Sequence, residues 1–177
     1  MDAIEALLTR RSIRRFKPDP VPLELVLKLI DIARYAPSAR NSQPWRFIIV
    51  DDPSIKEKLS RIHGGAKPLM NAPLGIVVAC VKDESPISYL LDCANATIYF
   101  MLAAHAHGLG TVWIQTLRNI DEIREILSIP ENVIPAAILA LGYPDEKPFP
   151  KPRKPVEEIT FRNKYGEKIR VLNGSRN

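Results

Sequence analysis

The sequence predicts a layered domain of helices and one sheet. Three observations carry that prediction. Four apolar, strand-like runs, at residues 47–50, 75–81, 111–116 and 136–142, alternate with segments of helical periodicity. The chain is 46% hydrophobic and 25% charged, the balance of a globular protein with an ordinary core, and 177 residues suit one domain. The prolines then crowd together after Tyr143, at 144, 148, 150, 152 and 155, where the chain cannot build a core of its own. The domain therefore spans 1–177, with 143–177 as an extended C-terminal segment.

Taken in order, Asp2 suits the N-cap of a first helix on which Ile4, Leu7 and Leu8 recur at helical spacing. Arg10, Arg11, Arg14 and Arg15 fall where that helix ends. One or two of them would answer the helix dipole, but four around Ser12 exceed that need. Pro22 suits the start of a second helix with Leu25, Val26, Leu29, Ile30 and Ala33 on its apolar face. Pro37 ends this helix, and Pro44 biases Gln43 away from helical angles. The loop between them presents hydroxyls, amides and free backbone N–H groups, either as an ordinary connector or as a site. Trp45 reads as a packing residue leading into the first strand.

Asp52-Pro53 caps a helix running to about Ile62, stopped by Gly64-Gly65. Lys67 follows on a short connection. The β-branched run 75–81 is a buried strand. The pattern over 89–107 is apolar nearly all round, with Ala94, Ala96, Ala103, Ala104 and Ala106 permitting close approach, so it is a buried helix ended by Gly108. Asn119 and Glu122 have capping-box spacing for a helix to about Ser128. Ile169-Arg170-Val171-Leu172 could add an edge strand.

Composition narrows the function. The net charge is +5, which admits an anionic ligand or a nucleic acid. The basic residues fall in two distant clusters, Arg10–Arg15 and Lys147, Lys151, Arg153 and Lys154, without a nucleic-acid module around them. Convergence of both on one phosphate explains the charge more economically. No apolar run approaches the ~20 residues of a membrane helix, and the N-terminus lacks a signal-peptide layout, so a cytoplasmic protein without membrane contact is expected. Cys80 and Cys93 lie apart in apolar surroundings and read as buried free thiols; His63, His105 and His107 form no metal pattern. Gly108-Leu109-Gly110 follows a helix and opens a strand, the reverse of a dinucleotide fingerprint. Few acid–base candidates beside many anion donors suit a protein whose cofactor carries the chemistry.

Four motifs in order identify a resemblance: Arg10-Arg11-Ser12-Ile13-Arg14-Arg15-Phe16, Pro37-Ser38-Ala39-Arg40-Asn41-Ser42-Gln43-Pro44-Trp45, Gly108-Leu109-Gly110-Thr111-Val112-Trp113, and Pro150-Lys151-Pro152-Arg153-Lys154-Pro155. Together they resemble the nitroreductase family of FMN-dependent oxidoreductases. The resemblance implies an α+β fold in which a mixed, largely antiparallel sheet is flanked by helices in an intertwined homodimer, with the tail wrapping the partner. It assigns Arg10, Lys151 and Arg153, beside Arg11, to the FMN phosphate, and Ser12 and Asn41 to the ribityl hydroxyls. Arg14, with Lys67 second, would supply a cation near the ring. The strand end at Ile114 and Gln115 would approach ring N5 through its backbone; many relatives carry Glu-Gly where this chain has Gln115-Thr116. Pro37, Ser38, Ala39, Asn41 and Gln43 would reach the flavin of the other subunit. No side chain would act as catalytic acid or base, and no metal is expected.

The implied reaction takes hydride from NADH or NADPH and hands electrons to a nitroaromatic, quinone or similar small acceptor by an alternating scheme. The brief 81–89 connection, where longer members insert covering helices, implies an open pocket and broad acceptor range. Two other readings stand beside this one: a flavin-handling relative that fragments flavin, dehalogenates or works with a deazaflavin, and a redox-inactive basic nucleic-acid binder.

Overall fold

A computed structural model describes residues 1–169. Helices α1 (Ala3–Thr9) and α2 (Leu23–Ala33) precede strand β1 (Trp45–Val50). Helices α3 (Pro53–Ser60) and α4 (Pro68–Asn71) lead to β2 (Leu74–Val81), and the long α5 (Tyr89–Ala106) to β3 (Gly110–Ile114). Helix α6 (Ile120–Leu127), β4 (Val133–Gly142) and the short α7 (Val156–Ile159) complete the chain. The strands form one sheet in the order β1-β2-β4-β3, every neighbouring pair antiparallel. A single parallel bridge, Ser12 to Thr111, makes the sheet mixed.

Alternation along the strands sets the two layers. Val77, Val112, Ile114, Ile138 and Ala140 pack with Leu59 of α3, Leu69 of α4 and Ile123 of α6. Ile76, Leu139 and Leu141 pack on the opposite side with Val26 and Leu29 of α2 and Phe100 and Ala104 of α5. A third cluster under the end of β1 contains Ala36, Trp45, Val78, Cys80 and Cys93.

Several local expectations hold and others need correction. Asp2 caps α1 through the Glu5 N–H, and Asp52 caps α3 through those of Ser54 and Ile55. Pro37 does not stop α2. The helix ends at Ala33 and tightens into i→i+3 turns at Tyr35 and Ala36, which bury Ala36 before the proline is reached. Helix α3 likewise ends at Ser60, ahead of the glycines. Asn119 makes no capping bond to a backbone N–H; its amide donates to the Ile62 carbonyl and to Glu122. Strand β4 starts earlier than the apolar run suggests because a bulge opposite Val78/Ala79 accommodates Pro135 in a central strand. Strand β3 ends at Ile114, two residues short, where Gln115 turns the backbone.

Helix α5 is not buried all round. Leu91 and Ile98 are exposed, leaving an apolar face open on this chain. The cysteines are not free thiols: β2 and α5 bring Cys80 and Cys93 to a Cα separation of 6.2 Å, and the structure joins them as a disulfide. Their distance in sequence concealed this, because the contact exists only once the helix packs on the strand. Of the proposed edge strand at 169–172, residues 170–172 lie outside the described residues. Among the described residues, no helix is long and apolar enough to cross a membrane, and no cluster of His, Cys, Asp and Glu could hold a metal.

Candidate functional site

The basic loop after α1 is laid along the free edge of β3. Ile13 donates its N–H to the Thr111 carbonyl at 2.9 Å. Gly110 is required here, because a Cβ would come within 2.8 Å of the Ile13 side chain. Gly108, at φ +78°, turns the chain out of α5. The two glycines of this motif thus serve backbone geometry. On its other side the loop is stitched to the segment after β4. Phe16 bridges Pro144, Lys17 donates to the Tyr143 carbonyl and Asp145 to that of Arg15. The Glu146 carboxylate accepts the backbone N–H groups of Arg14 and Arg15.

This stitching brings Arg10, Arg11, Ser12, Arg14, Lys151 and Arg153 to the walls of one cavity of about 140 Å³, together with Pro148 and Phe149. The N-terminal and C-terminal basic motifs therefore converge. No carboxylate lines the cavity, and among the described residues none of these five cations is ion-paired. Arg11 is partly occupied at home, donating to the carbonyls of Leu8 and Arg10 at the end of α1. Arg153 donates to the Lys151 carbonyl at 3.1 Å. Arg10 is different: its Nη1 is buried with no partner. Burial, then the neighbouring Arg11 and Arg153, hold its guanidinium below the ordinary range. A buried, unpaired donor among like charges is costly alone and is satisfied by an anion such as a phosphate.

A second group sits at the opposite end of β3. Ile114 is buried, and the Gln115 side chain is consumed locally, its Oε1 accepting the N–H groups of Thr116 and Leu117. The Gln115 carbonyl faces His63 Nε2 at 2.7 Å. His63 Nδ1 accepts the Gly65 N–H, so the ring carries its proton on Nε2 and donates to Gln115. Lys67 is exposed and lines a second hollow with His63, Arg61 and Met70. Four residues separate Thr111 from Gln115, about 13 Å along one strand. The cation cavity and this strand end thus lie along a single edge.

The third group is elsewhere. The Pro37 loop carries three non-glycine residues in left-handed conformation, Arg40, Asn41 and Gln43, at φ 54°, 56° and 49°. Each costs about 1–2 kcal/mol, the kind of strain that marks functional loops. Ser38 Oγ accepts the Gln43 N–H, and Gln43 Nε2 donates to the Asn41 carbonyl. Pro37, Ala39, Asn41 and Gln43 are exposed. The loop enters β1, at the sheet edge opposite β3, and at the far end of the strands: Trp45 pairs with Cys80, whereas Thr111 aligns through Leu141 with Leu74. Six residues along and four strand spacings across separate it from Ser12 by on the order of 25 Å. One chain does not bring these two groups together.

Four residues that hydrogen-bond to these groups were not evident in the sequence: Glu146, His63, Asp92, which accepts the Ala39 N–H, and Asn95, which donates to the Pro37 carbonyl. Glu146 had a faint signal as the lone carboxylate between Tyr143 and Lys154 besides Asp145. The others sit in helices or turns and gain their roles only from tertiary contacts.

The chain thus carries a phosphate-sized cation cavity, a strand end on the same edge, and a strained polar loop far from both. The profile described as the Nitroreductase family matches residues 7–69 and 63–143, and the chain belongs to that family. It is 40% identical over 153 residues to a Methanothermobacter thermautotrophicus protein provisionally named NADH dehydrogenase/NAD(P)H nitroreductase, covering 84% of this chain and 80% of that one. It is 30% identical to the FMN reductase [NAD(P)H] of Bacillus subtilis, covering 93% of this chain and 74% of the relative. Among solved structures, an FMN-dependent nitroreductase of Clostridium difficile superposes with a TM-score of 0.84 at 33% identity, over 92% of this chain and 99% of that one.

Proposed function

We propose that this protein is an FMN-dependent, NAD(P)H-using oxidoreductase that works as a homodimer with shared flavin sites. The observation that carries the proposal is the convergence of Arg10, Ser12, Lys151 and Arg153 on one cavity with Arg10 Nη1 buried and unpaired. When bound, FMN would accept hydride from NADH or NADPH and deliver electrons to a small acceptor, a nitroaromatic or quinone, that takes the reductant's place. Arg10, Lys151 and Arg153 hold the phosphate, and the Ser12 hydroxyl the ribityl chain. Arg14 and Lys67 place positive charge toward the ring, which favours its reduced, anionic form. The backbone at Ile114 and Gln115, braced by His63, presents the strand end to the ring. The Gln115 side chain has no part in this, since its oxygen is already engaged.

The Pro37 loop is too far from this edge for one nucleotide-sized ligand to touch both, so Pro37, Ser38, Ala39, Asn41 and Gln43 serve the site of a second copy. The exposed apolar face of α5 fits the contact between copies, and residues 144–169, largely exposed here, fit a tail that wraps the partner. We place the enzyme in the cytoplasm, where NAD(P)H is available.

The test is a visible absorption spectrum of the purified protein mixed with FMN, repeated anaerobically after NADH or NADPH. A bound flavin band that bleaches is expected, with parallel double-reciprocal lines and a broad acceptor range in turnover. A protein that binds no FMN would overturn the cavity assignment, and intersecting lines would overturn the alternating scheme.

A further inference from the structure

We infer that Asp92 is a positioning residue: through the main chain of Ala39 it sets the conformation of the loop that reaches the second flavin. The inference rests on the flavin reading for the loop's role, but the anchoring itself stands on contacts in this chain. Asp92 lies in the first turn of α5 and is 4% exposed. Its two oxygens are divided. Oδ1 accepts the Ala39 N–H at 3.0 Å, and Oδ2 accepts the Ser85 hydroxyl at 2.6 Å. Among the described residues it pairs with no cation. A buried carboxylate without a counter-ion is expensive, and a neutral side chain would fill the space more cheaply. What the carboxylate adds is a charge-assisted bond to the backbone of the loop.

One helical turn along the same face, Asn95 Nδ2 donates to the Pro37 carbonyl at 3.0 Å. The two side chains grip the main chain on either side of Ser38. The gripped segment runs directly into Arg40, Asn41 and Gln43, all left-handed. Such conformations persist only where surroundings over-determine them. The platform is itself fixed, because Cys93, next to Asp92, is joined to Cys80 of β2. Asp92 and Asn95 therefore supply the constraint that the loop's own residues resist.

Two readouts test this in the full-length protein. The first needs no flavin: tryptic cleavage after Arg40, at the exposed loop tip, reports how often the loop opens. The second is FMN affinity by fluorescence titration. Asp92→Ala is expected to speed cleavage and weaken FMN binding by up to roughly tenfold to 150-fold, the span of one charge-assisted bond. Asp92→Asn, which can still accept from Ala39 but without the charge assistance, recovers about half of each effect on a logarithmic scale. Ser85→Ala, which removes the other partner, lowers the melting temperature but leaves both readouts within about twofold of wild type. Should Asp92→Ala fail to fold, Asn95→Ala carries the test, with the same direction and a smaller size. An Asp92→Ala or Asn95→Ala protein that melts earlier yet keeps wild-type cleavage and FMN affinity overturns the inference, since Asp92 would then merely satisfy the core. If wild type binds no FMN, the flavin reading fails, and the cleavage series alone decides whether Asp92 anchors the loop.

Discussion

Replacing Arg10 with Gln should move two quantities in opposite directions. In the flavin-free protein Arg10 stands beside Arg11 and Arg153, with Nη1 buried and unpaired, so its charge opposes folding. Arg10→Gln removes both the like-charge repulsion and part of the desolvation, and the melting temperature of the flavin-free protein should hold or rise. With FMN present the same group would supply a charge-assisted bond to a phosphate. Losing a bond of that kind costs about 1.5–3 kcal/mol, roughly a tenfold to 150-fold rise in the FMN dissociation constant. The assay is a fluorescence titration of FMN alongside thermal melts with and without it. Because the interaction is largely ionic and the cavity's other cations Arg14, Lys151 and Arg153 are exposed, the gap between wild type and variant should narrow as salt is raised. A variant that melts earlier without flavin and binds FMN as tightly as wild type would refute the reasoning, for it would make Arg10 a structural cation.

Three further outcomes are expected. Burial, then Arg10 and Arg11, hold His105 below its ordinary value of 6.5; the unfolded chain thus binds the extra proton first, and stability should fall as pH drops below about 6.5, a slope that melts over pH 5–8 should find reduced in His105→Gln. The Cys80–Cys93 pair closes a loop with a separation of 13 residues; the unfolded, unreduced protein should show no maleimide-reactive thiol, and reduction should expose two and cost about 3 kcal/mol in denaturant unfolding, whereas two thiols before reduction would refute the pairing. Mixing Arg10→Ala with Asn41→Ala under subunit exchange should restore about a quarter of the flavin sites, since half the dimers are mixed and each would carry one site with neither lesion; no recovery in a binding titration would place both residues in one chain's site.

What was legible in the sequence was whatever is local. The existence of the four strands and caps such as Asp2 and Asp52 follow from periodicity and residue type, and they read correctly apart from the bounds of β3 and β4. Most of the failures involve contacts distant in sequence; the early end of β3, where Gln115 turns the backbone, is a local one. Cys80 and Cys93 looked free because neither run hints at the register that sets α5 on β2. Helix α5 looked buried because composition does not say which part of an apolar surface the core covers, and the packing leaves Leu91 and Ile98 exposed. Pro37 looked like a helix stop, yet the turn at Tyr35 and Ala36 is set by burial of Ala36 in the third cluster. Asp92 carried no signal, since an acidic residue in the first turn of a helix is ordinary, and only the fold shows it buried against Ala39.

The topology itself argues for a shared site. An antiparallel sheet in the order β1-β2-β4-β3 assigns its edges to β1 and β3. The basic loop lies along the free side of β3, and the Pro37 loop opens β1. Any ligand that uses both must therefore bridge the sheet or be completed by another chain. The two helices that could cover the gap, α2 and α5, instead leave Leu27, Leu91 and Ile98 open on one side. On the proposed reading, pairing two copies through α5 would cover the apolar face and complete the site whose halves lie at the two sheet edges. On that reading, burial of that face and completion of the site would be one event, and each copy's loop, anchored by its own Asp92 and Asn95, would arrive already shaped for the other's cofactor.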